Sequence, residues 1–202
     1  MNWFDDTFDR TPLMAILRGL GVERSVALAV TAWDLGIDAV EVPLQTAEDT
    51  VALREVSRLA QEQGKIVGAG TILTEDQLET AVSAGARYVV SPGLDSGLVR
   101  EAQRRGIPIL PGVATPSEVG AALNLGLTWL KAFPAEWLGT GWFSHIRGPF
   151  PQVRFVATGG LNAGNVGDFL DAGVRVAAIG SALEDPVQLM LMAQLLSRRK
   201  GV

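Results

Sequence analysis

The chain has no cysteine and a single histidine among its 202 residues. Without cysteine, disulfides, thiolate metal sites and cysteine nucleophiles are all excluded. His145 alone cannot form a histidine cluster, and the carboxylates lack the spacing typical of a calcium loop. We therefore expect a site with neither a metal nor another cofactor, in which catalysis depends on other side chains.

Long apolar runs and clustered positive charge are also missing. No stretch approaches the roughly 18 uninterrupted apolar residues of a membrane span, and the first residues lack the basic and apolar regions of a signal peptide. The net charge is −5, and the basic residues form no stripe that would suit a phosphate backbone. We expect a cytoplasmic protein that binds neither nucleic acid nor membrane.

A repeated unit runs along most of the chain: a glycine closes a helical stretch, and a short apolar strand follows it. The glycines that begin these units are Gly36, Gly64, Gly85, Gly106, Gly126 and Gly173. Residues 13–18 and 153–157 supply two further strands. The segments between carry helix-period apolar positions, as at Val26, Ala29 and Trp33. The sequence therefore predicts eight strands that alternate with helices.

This alternation implies parallel pairing of the strands. Eight such units in 202 residues, 48% of them hydrophobic, predict a single domain. It is an α/β fold, a (β/α)8 TIM barrel over residues 1–202, with residues 1–11 as a short N-terminal helical extension. An open doubly wound sheet is the alternative, but it usually carries Gly-x-Gly-x-x-Gly after its first strand, which residues 18–21 do not provide.

In such barrels the active site lies at the carboxyl ends of the strands. The polar residues at the predicted strand ends are Arg18, Glu41, Gln45, Thr71, Ser91, Lys131, Thr158 and Ser181. Lys131 is the most informative of them because it lies in an apolar strand, the sixth, where desolvation favours the neutral, nucleophilic amine. The alternative is a lysine whose long side chain reaches solvent past the strand end.

The other strand-end groups also have two interpretations each. Glu41 ends the second strand in an apolar setting that suits acid–base work, or it forms a structural ion pair. Arg18 offers a fork of donors to a carboxylate or a phosphate, or a surface ion pair. Thr71 offers a hydroxyl, or the N-cap of the next helix. His145 lies away from the strand ends, so we expect it at the surface or in packing.

Two loops of small residues follow the seventh and eighth strands, Gly159-Gly160 and Gly180-Ser181. Glycines let the backbone approach an anion, and barrels frequently bind phosphate at these two loops. The pair of loops therefore predicts a phosphate site rather than turns alone.

Seven short segments occupy the strand ends and the loops after them: residues 41–44 (Glu-Val-Pro-Leu), 68–71 (Gly-Ala-Gly-Thr), 91–92 (Ser-Pro), 111–116 (Pro-Gly-Val-Ala-Thr-Pro), 130–134 (Leu-Lys-Ala-Phe-Pro), 158–160 (Thr-Gly-Gly) and 180–181 (Gly-Ser). In this order the set resembles the bacterial 2-keto-3-deoxy-6-phosphogluconate aldolase family across nearly the whole chain. The resemblance implies a metal-independent class I aldolase, a lyase. Such an enzyme cleaves a phosphorylated keto-deoxy sugar acid into pyruvate and D-glyceraldehyde 3-phosphate, and the family assembles as a homotrimer.

The resemblance also assigns roles. Lys131 forms the Schiff base and Glu41 shuttles protons. Arg18 and Thr71 hold the carboxylate of the substrate. The phosphate is held by Gly159, Gly160, Gly180 and Ser181, and the wall is shaped by Pro92 and Phe133.

The chain departs from the family pattern at one position, and its motifs resemble the enzymes for both C4 epimers. Many family members carry arginine four residues after the glutamate, where this chain has Gln45, so carboxylate binding goes to Arg18 and Gln45 keeps a minor role. Residues 41–44 and Arg18 resemble enzymes for the galactonate epimer at C4, whereas Thr158 before the two glycines resembles the gluconate type. We expect the gluconate epimer, with the 6-phosphogalactonate as the alternative.

Two other functions fit a phosphate-binding barrel. A phosphosugar isomerase or epimerase would need paired acids or a metal, and the chain shows no such pair. A non-catalytic phosphate-binding barrel would have no use for Lys131 and Glu41 together.

Overall fold

A ring of parallel strands is the centre of the computed structural model, which describes residues 3–8 and 11–200. The strands are β1 (Leu13–Ile16), β2 (Ala39–Pro43), β3 (Ile66–Gly70), β4 (Val89–Val90), β5 (Ile109–Leu110), β6 (Gly112–Val113), β7 (Trp129–Ala132), β8 (Arg154–Thr158) and β9 (Val176–Ile179). They form one sheet in the order β5-β4-β3-β2-β1-β9-β8-β7-β6. Every pair in this sheet is parallel.

The two ends of that order are halves of one strand, so the sheet closes. β5 pairs with β4, and β6 pairs with β7. Pro111 lies between the halves and has no N–H to donate, but its carbonyl accepts a hydrogen bond from the Lys131 N–H at 2.9 Å. Nine short strands therefore make eight barrel strands, and the predicted (β/α)8 barrel is confirmed.

Helices surround the barrel: α1 (Trp3–Phe8), α2 (Gly21–Asp34), α3 (Ala47–Glu62), α4 (Glu75–Ser83), α5 (Ser96–Arg104), α6 (Pro116–Asn124), α7 (Ala135–Ile146), α8 (Val166–Asp171) and α9 (Pro186–Lys200). A 3-10 helix, Ser181–Glu184, precedes α9. The predicted apolar face of α2 is buried at Ala29 and Trp33. Over the described residues, no helix has both the length and the apolar character that crossing a membrane would need.

Helix α1 packs into the amino-terminal end of the barrel. Its Phe4 and Phe8 belong to the apolar cluster of the barrel interior, and the Phe8 ring is tilted by 47° against the Trp129 ring, with ring centroids 5.1 Å apart. The Trp129 indole N–H donates to Asp5 Oδ1 at 2.6 Å, and Arg154 forms an ion pair with Asp5. Helix α1 lies within the range predicted for a helical extension, of which residues 1, 2, 9 and 10 lie outside the described residues.

Gly68 leaves room inside the barrel for the large ring of Tyr88. Tyr88 is fully buried inside the barrel, and a Cβ added at Gly68 of β3 would overlap the Tyr88 ring. The Tyr88 hydroxyl donates to the carbonyl of Val40 at 2.9 Å, which joins the ring to β2. Gly68 therefore sets the volume in which Tyr88 packs beneath the strand ends.

We predict that Gly68→Ala lowers the free energy of unfolding by about 1–3 kcal/mol, because the added methyl overpacks the interior against Tyr88. Gly120→Ala in α6 is the control: a Cβ there meets no atom within 4 Å, and alanine in a helix should stabilise by about 0.5–1 kcal/mol. Urea unfolding of both variants measures the difference. Equal stability of the two variants would contradict this packing.

Candidate active site

Lys131 lies on β7 with its side chain inside the barrel. It is 2% exposed, so the alternative of a lysine that reaches solvent is wrong. Burial lowers the pKa of its ammonium group; the nearby Glu41 charge opposes that shift, and Arg18 adds to it. A lysine with a lowered pKa keeps a larger fraction of neutral amine, which is the form that attacks a carbonyl.

Glu41 lies on β2 and is 1% exposed. Burial raises the pKa of its carboxyl group, while the positive charges of Lys131 and Arg18 act in the opposite direction. Its Oε1 atom is buried without a hydrogen-bond partner, and a Cβ added at Gly70 would overlap the carboxylate. Among the described residues neither Arg18 nor Lys131 lies within ion-pair distance of Glu41, so the structural ion pair predicted as the alternative is not formed. A buried carboxyl group with a free oxygen and a raised pKa is suited to proton transfer.

Tyr88 lies close to this pair, although the sequence pattern did not single it out. Burial raises the pKa of its phenol well above the usual value, and the Glu41 charge adds to the shift. The phenol is therefore a neutral group that packs beside Glu41 and holds the Val40 carbonyl. The signal in the sequence was the two-residue alternation of Tyr88 and Val90, which places both residues inside the barrel.

Phe133 connects the lysine to the first glycine loop. The Lys131 Nζ atom lies 5.1 Å from the centroid of the Phe133 ring, within the range of a cation–π contact. The same ring lies 3.3 Å from the position of a Cβ added at Gly159. Gly159 and Gly160 have φ of 100° and 76°, the left-handed region that glycine adopts without strain. These two glycines therefore allow the loop to pass close to Phe133.

A cavity of about 490 Å³ opens at the carboxyl ends of the strands. Its lining includes seven of the predicted site residues: Arg18, Phe133, Thr158, Gly159, Gly160, Gly180 and Ser181. The two glycine loops thus lie on one cavity together with the arginine. An arginine and exposed backbone from two loops can bind an anion with a carboxylate or phosphate group.

Five predicted site residues do not line this cavity. Lys131 and Glu41 are buried inside the barrel, and the ring centroid of Phe133, which lines the cavity, is 5.1 Å from Lys131 Nζ. The remaining three are Gln45, Pro92 and Thr71. Gln45 is exposed, and its backbone N–H donates to Asp49 Oδ2 at 3.0 Å. Pro92 presents its carbonyl to Gly112, where an added Cβ would overlap it. Thr71 has a φ of 59°, an uncommon conformation for a threonine, and follows the glycine that faces the Glu41 carboxylate.

The structure also decides the alternative role of Thr71 and shows where Ser91 and His145 lie. The N-cap of α4 is Thr74, whose hydroxyl accepts from the Gln77 N–H at 3.2 Å, so the capping role predicted as an alternative for Thr71 is wrong. Ser91 is buried, and its hydroxyl donates to the Gly93 carbonyl at 2.8 Å, which makes it a turn residue. His145 is exposed on α7, with Nδ1 2.6 Å from the Gly141 carbonyl.

The cavity wall also carries two polar residues that the sequence pattern did not indicate. Asn162 lines it and accepts a hydrogen bond from the Gly164 N–H at 2.8 Å. Glu184, at the end of the 3-10 helix, lines it as well. The available signal for Glu184 was its position three residues after Ser181, which repeats the period of a 3-10 helix.

The chain is similar in sequence to known aldolases. Residues 4–192 match the sequence model of the KDPG and KHG aldolase family. A 2-dehydro-3-deoxy-phosphogluconate aldolase of Treponema pallidum is 36% identical over 91% of this chain and 86% of its own length. A probable 2-dehydro-3-deoxy-6-phosphogalactonate aldolase of Rhizobium meliloti is 35% identical over 87% of this chain and 82% of its own length.

A solved structure agrees with these relatives. It is a KDPG aldolase of Legionella pneumophila with pyruvate captured as a covalent carbinolamine intermediate, 32% identical, with a TM-score of 0.82 over 95% of each chain. Because the family model covers most of the sequence and relatives above 30% identity span most of their own length, this chain belongs to the KDPG and KHG aldolase family.

Proposed function

We propose that the protein is a class I aldolase that cleaves 2-keto-3-deoxy-6-phosphogluconate, reversibly, into pyruvate and D-glyceraldehyde 3-phosphate through a Schiff base at Lys131. The observation that carries this proposal is the burial of Lys131 and Glu41 inside the barrel, 2% and 1% exposed, with Lys131 Nζ 5.1 Å from the ring centroid of Phe133, which lines the cavity. The charge of each group acts on the pKa of the other. Family membership supports the reaction class, and the captured pyruvate adduct of the Legionella pneumophila enzyme supports the covalent chemistry.

The reaction begins when the neutral Lys131 amine attacks the C2 carbonyl of the substrate. The carbinolamine that forms loses water and becomes a protonated imine. Glu41 then removes the proton of the C4 hydroxyl, the C3–C4 bond breaks, and its electron pair moves into the imine to form an enamine while glyceraldehyde 3-phosphate leaves. Glu41 returns a proton to C3, and water releases pyruvate and regenerates the amine. A carboxyl group whose pKa is raised by burial can serve both steps, since it takes up a proton more readily than an ordinary carboxylate and can then return it.

Different residues bind different groups of the substrate. Arg18, with Thr71, holds the carboxylate next to C2, and the exposed backbone of the Gly159-Gly160 and Gly180-Ser181 loops holds the phosphate. Thr158, which is 3% exposed at the end of β8, hydrogen-bonds the C4 hydroxyl and selects the gluconate epimer. Phe133 forms part of the cavity wall. Pro92 and Gln45 do not line this cavity, so the wall role of Pro92 and the minor role of Gln45 are assigned from the family pattern alone.

Assembly and location follow from the same proposal. A single-domain barrel of this family is expected to form a homotrimer, and large exposed apolar side chains support a subunit contact: Trp137 is 86% exposed and Leu73 is 57% exposed. A phosphorylated sugar acid is charged and does not cross a membrane unaided, which supports action in the cytoplasm. The isomerase, epimerase and non-catalytic alternatives lose support, because the family of this chain consists of aldolases.

Reductive trapping tests the Schiff base directly. With pyruvate and borohydride, we expect the three-carbon adduct on the peptide that contains Lys131, identified by mass mapping. The chain has two other lysines, Lys65 and Lys200, which serve as internal controls, and Lys131→Arg should take up no adduct. An adduct on another lysine in the native protein would refute the mechanism.

Replacement of Glu41 separates proton transfer from imine formation. Glu41→Gln should slow turnover by about 100-fold or more, the usual contribution of general acid–base catalysis, while the rate of pyruvate trapping falls much less. The Glu41 charge raises the pKa of Lys131, so its removal should lower that pKa further and move the pH profile of trapping toward lower pH. Equal loss of both rates, or a shift toward higher pH, would mean that Glu41 only positions the lysine.

The choice of epimer depends on Thr158. We expect a higher kcat/KM for the gluconate than for the galactonate epimer, and Thr158→Val should lower the gluconate value by about fivefold, the worth of one hydrogen bond. The galactonate value should change little. Thr80→Val, on the exposed side of α4, is the matched control. A wild-type preference for the galactonate epimer would contradict this assignment.

A further inference from the structure

An acidic side chain lies on the wall of the proposed phosphate site. Ser181 and Glu184 both line the cavity, and they are the first and last residues of the 3-10 helix. Residues three apart in a 3-10 helix are eclipsed, so the two side chains emerge on one face. A carboxylate at this position repels a phosphate dianion unless another group compensates its charge.

Arg24 supplies the compensating charge. It lies in the first turn of α2, and its Nη2 atom is 3.5 Å from Glu184 Oε2. Arg24 does not itself line the cavity, but its partner does, so its guanidinium group is one ion-pair distance from the wall. Both side chains are about half exposed, at 54% and 42%, and can change rotamer without disturbing the core.

Glu184 and a substrate phosphate, the two possible partners of Arg24, differ in how strongly they bind its guanidinium group. An exposed ion pair with a single carboxylate is weak, because solvent screens it and two long side chains lose freedom. A phosphate dianion carries nearly twice the charge, and it accepts two parallel hydrogen bonds from a guanidinium group. A substrate phosphate in the cavity is therefore the better partner for Arg24.

We propose that Arg24 and Glu184 form an exchangeable charge pair that selects a substrate with a distal phosphate. In the free enzyme Glu184 holds Arg24 beside the cavity and keeps the affinity for free inorganic phosphate low. When the tethered phosphate of the substrate enters, Arg24 turns from Glu184 to the phosphate. This inference rests on the proposed function, since it names the group that binds at the two glycine loops.

The reverse reaction, the condensation of pyruvate with an aldehyde, measures the contribution of the phosphate to binding separately from the rest of the substrate. Pyruvate is combined with glyceraldehyde 3-phosphate or with unphosphorylated glyceraldehyde. Arg24→Gln should raise the KM for glyceraldehyde 3-phosphate by about three- to tenfold, as expected for loss of one charged contact at an exposed site, and leave the KM for glyceraldehyde within about twofold. Glu184→Gln should lower the KM for glyceraldehyde 3-phosphate by about two- to fivefold.

Two control variants define the comparison. Arg24→Lys keeps the charge and should restore most of the selectivity. Arg54→Gln removes an exposed arginine of α3 that does not line this cavity, and it should change neither KM. An equal effect of Arg24→Gln on both aldehydes, or no effect on either, would overturn the proposal.

Binding of inorganic phosphate tests the pair without any turnover. By titration calorimetry, Arg24→Gln should bind phosphate more weakly than the wild type, and Glu184→Gln more tightly. Unchanged affinity in both variants would overturn the charge pair while pyruvate trapping at Lys131 still supported the aldolase. A wild type that traps no pyruvate, with phosphate affinities that shift as expected, would refute the proposed reaction and leave the charge pair standing.

Discussion

The burial of two opposite charges inside one apolar barrel is the constraint on which this site depends. Taking an ammonium and a carboxylate out of water is unfavourable, and each group shifts its pKa toward the neutral form. Their mutual attraction offsets part of that cost. In the proposed reaction, the burial that makes Lys131 costly to fold also favours the neutral amine that attacks the substrate, so stability and chemistry oppose each other at this position.

The interior accommodates these groups because glycines replace side chains where space is needed. Gly70 leaves room for the Glu41 carboxylate, Gly68 for the Tyr88 ring, and Gly112 for the carbonyl of Pro92. All three lie on strands, where glycine weakens the element and usually marks a close approach of another group. The space for the Glu41 carboxylate is therefore set by Gly70 on the neighbouring strand β3.

Much of this arrangement could be predicted from the sequence, because strand-end position in a parallel barrel depends on a period that the chain displays. The eight strands, and the positions of Lys131 and of the two glycine loops at their carboxyl ends, follow from that period. Strand bounds did not follow from it: β3 runs from Ile66 to Gly70, whereas β4 has only two residues, Val89 and Val90. Hydrogen bonding to both neighbours decides those bounds. The roles of Tyr88 and Glu184 depend on packing and on a short 3-10 turn, which hydrophobic patterning does not encode.

The contact of α1 with the barrel has a consequence for the order of events during synthesis. Phe4 and Phe8 are synthesised long before the residues that hold their helix: Trp129 lies 124 positions after Asp5, and Arg154 lies 149 positions after it. Two aromatic side chains must therefore remain without their final surroundings while about 150 further residues are added. During that time the nascent protein carries an exposed apolar segment, and synthesis of β8 completes the contacts that cover it.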